Sequence, residues 1–278
     1  MRRWAWLRSW DWREPPARHH AGEYAGGCND RVGPTLNADK RYLIVNADDF
    51  GRSPGVNRGV IEAHERGIVT SASLMVRWPA AAEAAAYVRE HQRLALGLHF
   101  DLGEWNYREG TWLPAYEVVP ADDVKAVMEE AARQLAAFRQ LAGRDPTHLD
   151  SHQHVHLREP VRSVLIELAA DLAVPLRHYD PRIRYNGDFY GQTGEGRLLP
   201  QAISVEAFID ILAALPSGAT ELACHPGLDD ELQSTYRSER VQELRVLCDP
   251  RVPAALAAEE IELCSFGSDA LQRLDPTS

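Results

Sequence analysis

The sequence has 278 residues, of which 45% are hydrophobic and 26% are charged, as expected for a globular protein with a sizeable core. Its 30 basic and 41 acidic residues give a formal net charge of −11, which disfavours nucleic acid as a partner. The sequence contains no apolar run of the roughly 20 residues that a membrane span needs, and its four cysteines form no CxxC pair, which favours reduced thiols in a cytoplasmic protein.

The first 40 residues differ in composition from the rest of the chain. Residues 1–12 contain four of the seven tryptophans, and residues 13–40 are rich in Pro, Gly, Asn, Arg and His. We therefore predict that residues 1–40 are a disordered or irregular N-terminal extension and that residues 41–278 form a single domain. An interaction arm and an overlong start are the alternative interpretations of the extension.

From residue 41 onward, short apolar runs alternate with segments of helical periodicity. The predicted strands cover residues 42–45, 68–76, 94–100, 146–150 and 221–224. The predicted helices cover residues 54–67, 80–89, 122–142, 159–173, 205–215 and 237–247, the last followed by a short tail. This alternation predicts an α/β fold with a parallel sheet, open or closed. Residues 101–119 and 179–200 fit it poorly and are predicted to be long loops rich in aromatic residues.

Polar residues directly follow several of these strands, at the edge where α/β folds build their sites. Asp48 and Asp49 follow the first strand, and the alternation of side chains along a strand would point them in different directions. One carboxylate would then suit a metal and the other a water, although a helix N-cap is an equally good interpretation. His99 and His225 also stand at strand ends, where each alone is explained as well by a structural role.

The histidine-rich segment 148–156 is the strongest single signal. His152, His154 and His156 fall on one face if the segment is extended. Imidazole is a common ligand of divalent metals, and burying three histidines without a metal or polar partners would be costly. We therefore predict a metal role for this segment, with some of the histidines supporting the others rather than binding the ion.

One Asp and two His around an open position are typical of a metal-dependent hydrolase, in which a carboxylate takes a proton from water and a His protonates the leaving amine. A phosphoesterase or amidohydrolase is the alternative, but Arg158 is the only basic residue next to the His motifs. A glycosidase needs two carboxyls roughly 5–10 Å apart, which neighbouring aspartates do not supply. A non-catalytic saccharide-binding protein is the alternative outside the enzymes.

Six segments together resemble the YdjC-like carbohydrate deacetylase family, which includes the chitooligosaccharide deacetylases and the hopanoid-associated deacetylases. They are residues 43–51, 67–71, 97–100, 147–156, 189–191 and 224–227, and the resemblance covers roughly residues 41–270. It implies a distorted (β/α) barrel of the glycoside hydrolase/deacetylase type, with residues 41–278 as one deacetylase domain. The implied reaction is hydrolysis of an N-acetyl group from an amino sugar or an N-acetylated oligosaccharide or glycoconjugate.

The resemblance also implies roles for residues at matching positions. It implies that Asp49, His99 and His152 bind the metal, that Asp48 is the general base and that His225 is the general acid. Residues expected to support these or to contact the substrate are Asp150, His154, His156, Trp105 and Tyr190. The implied metal is magnesium, although an Asp-His-His set also suits zinc or another transition metal. A homodimer is also implied, and Gln153 departs from relatives that carry a His there.

Overall fold

The computed structural model describes residues 40–228 and 234–268. The strands are β1 (Arg41–Phe50), β2 (Ser71–Leu74), β3 (Ala95–Phe100), β4 (Gly103–Arg108), β5 (Thr111–Glu117), β6 (Leu149–Ser151), β7 (Ile183–Asn186), β8 (Gly218–Cys224) and β9 (Ile261–Cys264). The α-helices are α1 (Pro54–Glu65), α2 (Ala81–Glu90), α3 (Val124–Ala142), α4 (Val161–Leu172), α5 (Val205–Ala213), α6 (Ser238–Leu247) and α7 (Arg251–Ala258). Nearly all of the predicted N-terminal extension lies outside the described residues, so that prediction stays untested.

Seven of the strands form one parallel sheet with the order β6-β3-β2-β1-β8-β7. The seventh strand, β9, pairs with the first half of β1, and β2 pairs with its second half. β8 pairs with the other edge of β1. The sheet curls into part of a barrel with the helices packed around it, which confirms the predicted α/β fold of the distorted (β/α) barrel type.

The central strand β1 is apolar along most of its length because both of its faces are covered. Nine of its ten residues are buried, as is usual for a strand inside a parallel sheet with helices on its faces. Helix α1 begins at the cap Ser53, whose side chain accepts a hydrogen bond from the amide of Val56, and Pro54 occupies its first turn. Helix α3 begins at the cap Asp123 and ends at Gly143, whose φ of 72° suits glycine.

The structure corrects four sequence-based boundaries. β1 runs to Phe50, so residues 46–50 belong to the strand and not to a loop. The stretch 101–119 folds as an antiparallel hairpin, β4–β5, whose turn at Glu109 and Gly110 has positive φ at both positions. The stretch 179–200 contains the short strand β7, and α6 is followed by α7 and β9 rather than by a tail. Strands of four residues carry too short a pattern to be distinguished from loops.

None of the helices in the described ranges is long and apolar enough to cross a membrane. Cys224, Cys248 and Cys264 are free thiols.

Candidate active site

The carboxyl ends of four parallel strands bring the predicted site residues together. Asp48 and Asp49 lie near the end of β1, His99 lies in β3, Asp150 lies in β6, and His225 directly follows β8. Parallel strands present these ends at one edge of the sheet, so residues far apart in sequence become neighbours there. A single cavity at this edge is lined by both aspartates, by His99 and His225, and by aromatic side chains of the hairpin β4–β5.

Asp49, His99 and His152 form a buried group of potential metal ligands. Asp49 Oδ1 lies 3.0 Å from His152 Nδ1 and 3.4 Å from His99 Nε2, and one ligand atom from each residue lies within 4.8 Å of the others. Bonds of roughly 2.0–2.2 Å to one ion place neighbouring ligand atoms about 3.0–3.5 Å apart. Asp49 Oδ1 is buried without a hydrogen-bond partner, so the spacing and the donor set fit a divalent metal ion.

Asp49 does not continue the regular side-chain alternation from which the two aspartates were predicted to point in different directions. Asp49 has a φ of 66°, in the left-handed region, and therefore departs from the regular pleat of β1. Both carboxylates consequently line the same cavity. Asp49 Oδ2 accepts a hydrogen bond from Arg240, and Arg52 Nη1 lies 3.6 Å away. Burial alone would raise the pKa of Asp49, but the charges of Arg240 and His152 and the histidine contacts together hold that pKa well below its usual value.

Asp150 fixes the orientation of His99. Its Oδ1 lies 2.8 Å from His99 Nδ1, and its Oδ2 accepts a hydrogen bond of 2.7 Å from Ser73 Oγ. With Nδ1 engaged on Asp150, Nε2 of His99 is the nitrogen that faces Asp49. Burial would lower the pKa of His99, but the neighbouring carboxylates, Asp150 foremost, raise it to about 10.

Asp48 is held by a fork of two hydrogen bonds from Arg177. The two guanidinium nitrogens of Arg177 donate to the two carboxylate oxygens at 2.7 Å each, and Asn46 Nδ2 donates to Oδ1 at 2.8 Å. Burial would raise the pKa of Asp48, but the charge of Arg177 lowers it far below its usual range. Arg177 also contacts Asp150 Oδ2 at 2.8 Å and Glu221 Oε1 at 2.7 Å, so it binds three carboxylates at once.

His225 faces Asp48 across the cavity, with 3.9 Å between His225 Nε2 and Asp48 Oδ2. On its other side, the amide of His225 donates to Glu243, and Glu243 Oε1 lies 3.9 Å from Nδ1. Burial lowers the pKa of His225 to about 4, although Asp48 acts in the opposite direction. The same burial raises the pKa of Glu243 to about 8, although its hydrogen bond from Tyr236 opposes the increase.

The loop that carries His225 rests directly on helix α1. A Cβ atom added to Gly59 in α1 would lie only 2.3 Å from Gly227 Cα, so the two backbones touch at glycine. The amide of Leu228 donates to the carbonyl of Gly55 at 3.0 Å, and the amide of Gly227 donates to the carbonyl of Arg240 at 3.2 Å. These contacts hold the chain just after His225 in one position.

The three histidines of the segment 152–156 do not share one face. Residues His152–Leu157 form 3₁₀ turns in which Gln153 and His154 have φ near 50°, so the segment is coiled rather than extended. His152 faces Asp49, whereas His154 and His156 turn toward His178. Burial lowers the pKa of His154 and of His156 well below the usual value. An alternating pattern in sequence cannot reveal such left-handed residues.

Gln153 lines the cavity but does not belong to the metal-ligand group. Its Oε1 accepts a hydrogen bond from the amide of Trp105, and its Nε2 donates to the carbonyl of Trp105, both at 2.9 Å. Gln153 thus pins the hairpin β4–β5 to the histidine segment. A His at this position is not required for the cluster of Asp49, His99 and His152.

The aromatic residues of the two predicted loops divide between packing and cavity lining. Trp105 is only 2% exposed and belongs to the hydrophobic core, while it also borders the cavity. Tyr107 and Trp112 pair across the hairpin at 5.5 Å between ring centroids. Tyr190 stacks on Tyr236 at 4.5 Å and lies 5.3 Å from the ring of His225. Some of these aromatic residues therefore pack in the core or against each other, and others line the cavity.

Several ionisable residues of the site were not predicted from the sequence. They are Arg52, Glu104, Arg177, His178, Glu221, Arg240 and Glu243. Arg158 is the only basic residue next to the His motifs along the sequence. In the folded protein, however, Arg52, Arg177 and Arg240 are buried against the carboxylates of the site. One signal was visible: Leu176, Arg177 and His178 repeat the pattern of an apolar run followed by polar residues, and Leu176 bridges to β6.

The model of the YdjC-like protein family matches residues 42–258 of the chain. The chain belongs to the YdjC-like family. This confirms the resemblance found in the sequence motifs. A carbohydrate deacetylase of Geobacillus stearothermophilus is 34% identical over 247 residues, covering 81% of this chain and 97% of the relative. A chitooligosaccharide deacetylase of Serratia marcescens is 35% identical over 265 residues, covering 82% of this chain and 98% of the relative.

Solved structures share the YdjC-like fold. A protein of Enterococcus faecalis V583 that carries the name of a cellobiose-phosphate cleavage protein superposes with a TM-score of 0.67 at 28% identity, covering 82% of this chain and 98% of its own. A family 4 carbohydrate esterase from Streptomyces lividans, solved in complex with acetate, superposes with a TM-score of 0.50 at 16% identity, covering 84% and 96%. The second similarity concerns the fold alone.

Proposed function

We propose that this protein is a metal-dependent deacetylase that hydrolyses an N-acetyl group of an amino sugar or of an N-acetylated oligosaccharide or glycoconjugate. The observation that carries the proposal is the pair Asp48 and His225, which face each other at 3.9 Å beside the group of Asp49, His99 and His152. Relatives at 34–35% identity that carry deacetylase names support the same chemistry. The substrate would enter the cavity that all five residues line.

Asp49, His99 and His152 would hold the divalent ion, because their donor atoms are buried and spaced as ligands of one ion. Such an ion would supply Lewis-acid chemistry, polarising the acetyl carbonyl and making the attacking water more acidic. Magnesium is the ion that the family resemblance favours, and zinc or another transition metal also suits two imidazoles and one carboxylate. Arg240 and Asp150 keep the Asp49 carboxylate and the His99 ring in place for this role.

Asp48 would act as the base that takes a proton from the attacking water. Arg177 engages each of its oxygens once, which keeps the carboxylate ionised and fixes its plane relative to the cavity. A carboxylate oxygen accepts more than one hydrogen bond, so Oδ2 can contact a water while it stays bound to Arg177. The fork therefore orients Asp48 without blocking its role as an acceptor.

His225 would deliver a proton to the amine as the C–N bond breaks. Its Nε2 faces Asp48 Oδ2, so the proton taken from water has a short path across the cavity. Glu243 and the contact between Gly59 and Gly227 hold the segment that carries the ring. Tyr190 beside His225, and Trp105, which also lines the cavity, would contact the apolar faces of the sugar ring.

The test is acetate release from diacetylchitobiose and a panel of N-acetylated sugars, first with EDTA and then with magnesium, zinc or cobalt restored. We expect release only with a metal, and a fall of at least 100-fold in kcat for Asp48→Asn and for His225→Ala. His91→Ala, which changes an exposed histidine that does not line the cavity, is the matched control and should keep wild-type activity. Full activity in both site variants would refute the assigned roles.

The panel should also contain a phosphorylated disaccharide, because one structural relative is named for cleavage of cellobiose phosphate. Release of phosphate without acetate would favour the phosphoesterase alternative. Release of acetate from simple amides but not from sugars would favour an amidohydrolase. Saccharide binding without any product, in protein loaded with metal, would indicate a non-catalytic relative.

A further inference from the structure

A second group of histidines lies beside the candidate active site. The rings of His154, His156 and His178 form a triangle, with centroid separations of 5.7 Å, 5.4 Å and 5.6 Å. One nitrogen from each ring lies within 4.8 Å of the others. Small rotations of the rings would shorten these distances to those between ligands of one ion. His154 and His178 also border the cavity, so the group is accessible from it.

Each of these rings has a buried nitrogen without a hydrogen-bond partner. The unpartnered atoms are His154 Nδ1, His156 Nε2 and His178 Nε2, and His156 is completely buried. Buried polar atoms are nearly always satisfied, so three unsatisfied nitrogens in one cluster require an explanation. A bound cation would supply the missing partner of all three.

The opposite nitrogens of two of the rings are already engaged. His154 Nε2 lies 3.2 Å from the hydroxyl of Tyr185, and His156 Nδ1 lies 2.5 Å from Ser151 Oγ. Histidines that bind metals typically use one ring nitrogen for the ion and anchor the other on a neighbouring polar group, which fixes the tautomer and the ring orientation. His154 and His156 are arranged in this way.

The positive charge of Arg177 acts against a cation at all three rings, but acidic partners surround that charge. Arg177, which precedes His178, is bound to Asp48, Asp150 and Glu221, so its single positive charge lies among three acidic side chains. Three nitrogen donors and no carboxylate favour zinc, cobalt or nickel over magnesium, which prefers oxygen ligands. The chemistry of this cluster therefore differs from that of Asp49, His99 and His152.

We propose that His154, His156 and His178 bind a second divalent transition-metal ion, such as zinc. Three protein ligands leave one position for a water or for an oxygen of the saccharide on the side of the cavity. This site is separate from the ion proposed for deacetylation, and its existence does not depend on that function.

The experiment measures metal stoichiometry on the full chain, purified without a histidine tag, stripped with EDTA and dialysed against zinc or cobalt. Mass spectrometry of the metal should find two equivalents in the wild type, and the cobalt protein should show d–d absorption from two sites. His178→Gln should lose one equivalent and keep the other. Asp49→Asn should lose the equivalent that His178→Gln keeps, so the cobalt spectra of the two variants should differ.

Two further variants serve as a control and as a repeat of the metal-binding experiment. His19 and His20 are adjacent in the N-terminal segment and offer a competing source of metal binding, so the variant with both changed to Gln is the control and should keep two equivalents. His154→Gln repeats the test if His178→Gln fails to fold by circular dichroism. The proposal is overturned if the wild type binds one equivalent that only Asp49→Asn removes, or if folded His178→Gln or His154→Gln retains both.

Discussion

Arg177 is the one cation that three buried acids of the site share. Removing it with Arg177→Met leaves Asp48, Asp150 and Glu221 without this partner, and an unpaired buried charge costs about 3–5 kcal/mol of unfolding free energy. Arg177→Lys keeps the charge but loses the planar fork, so we expect a folded protein of intermediate stability and low activity. Urea denaturation and kcat measure the two effects.

The matched control for Arg177 is Arg251→Met. Arg251 also binds acids, Glu206 and Asp249, but it does so at an exposed surface where solvent screens the interaction. We expect no measurable change in stability or activity for this variant. If Arg177→Met and Arg251→Met lost the same unfolding free energy, burial would not determine how much these ion pairs contribute to stability.

The buried side chain of His148 should make the unfolding free energy depend on pH. It is fully buried between Ser73, which lies 3.0 Å from its Nε2, and the stacked ring of Phe266, and burial lowers its pKa to about 3. In the unfolded chain its pKa returns to about 6.5. The unfolded state therefore binds the extra proton, and stability that is present above pH 6.5 is lost as the pH falls toward 3.

His148→Gln removes this titration while it keeps a polar group near Ser73. Between pH 4 and pH 6 its unfolding free energy should fall less steeply than that of the wild type, by about 1.4 kcal/mol per pH unit. Urea denaturation at several pH values measures the slopes. His91→Gln, at an exposed position, should keep the wild-type slope. Parallel curves for His148→Gln and wild type would contradict the assignment.

At the level of single residues, the strand-end aspartates and histidines could be predicted as site residues because they directly follow apolar runs in the sequence. Arg177 and Arg240 were not predicted, because each lies far in sequence from the carboxylates that it binds. Nothing local marks an arginine as the partner of an acid more than 100 positions away. The direction of Asp49 depends on a positive φ that a pattern of two aspartates does not encode.

Among the side chains that hold the hairpin β4–β5 from outside, Gln153 is the one that binds its backbone at Trp105 in both directions. Gln153 both donates to and accepts from the backbone of Trp105. Gln153→Glu has nearly the same shape but cannot donate, so its carboxylate would face the Trp105 carbonyl. The loss of about 1–3 kcal/mol should speed hydrogen exchange of the amides in residues 103–117 by about 5- to 100-fold and raise KM for the saccharide.

Gln140→Glu is the control for the hairpin prediction, because it makes the same change of charge on an exposed face of α3. It should leave exchange in residues 103–117 and KM at wild-type values. If Gln153→Glu showed wild-type protection by exchange mass spectrometry, the amide of Gln153 would not anchor the hairpin.

At the level of elements, long periodic helices were predictable and short strands were not. Helix α3 lies within two residues of its predicted bounds because it has 19 residues, a capping Asp123 and a terminal Gly143. β7 and β9 have four residues each and take their strand conformation from pairing with β8 and β1. Such pairing is a property of the assembled sheet and leaves little trace in the local sequence.

The folded unit extends beyond the region that the family model matches. That match ends at residue 258, yet β9 pairs with β1 at residues 261–264. Ile261 is 8% exposed and packs in the core, whereas Leu263 in the same strand is 37% exposed. Ile261→Ala should therefore cost about 2–5 kcal/mol of unfolding free energy, and Leu263→Ala less than about 1 kcal/mol. If urea denaturation gave a loss for Ile261→Ala as small as that for Leu263→Ala, β9 would not contribute to the core as described.

The contact between Gly59 and Gly227 has a consequence for how the protein can change over generations. A side chain at position 59 would collide with the main chain of Gly227, and residue 227 is already the smallest amino acid. No second substitution at 227 can therefore restore the space, so the pair has no compensating partner mutation. A library randomised at both positions and selected for activity should return glycine at 59 whatever residue stands at 227.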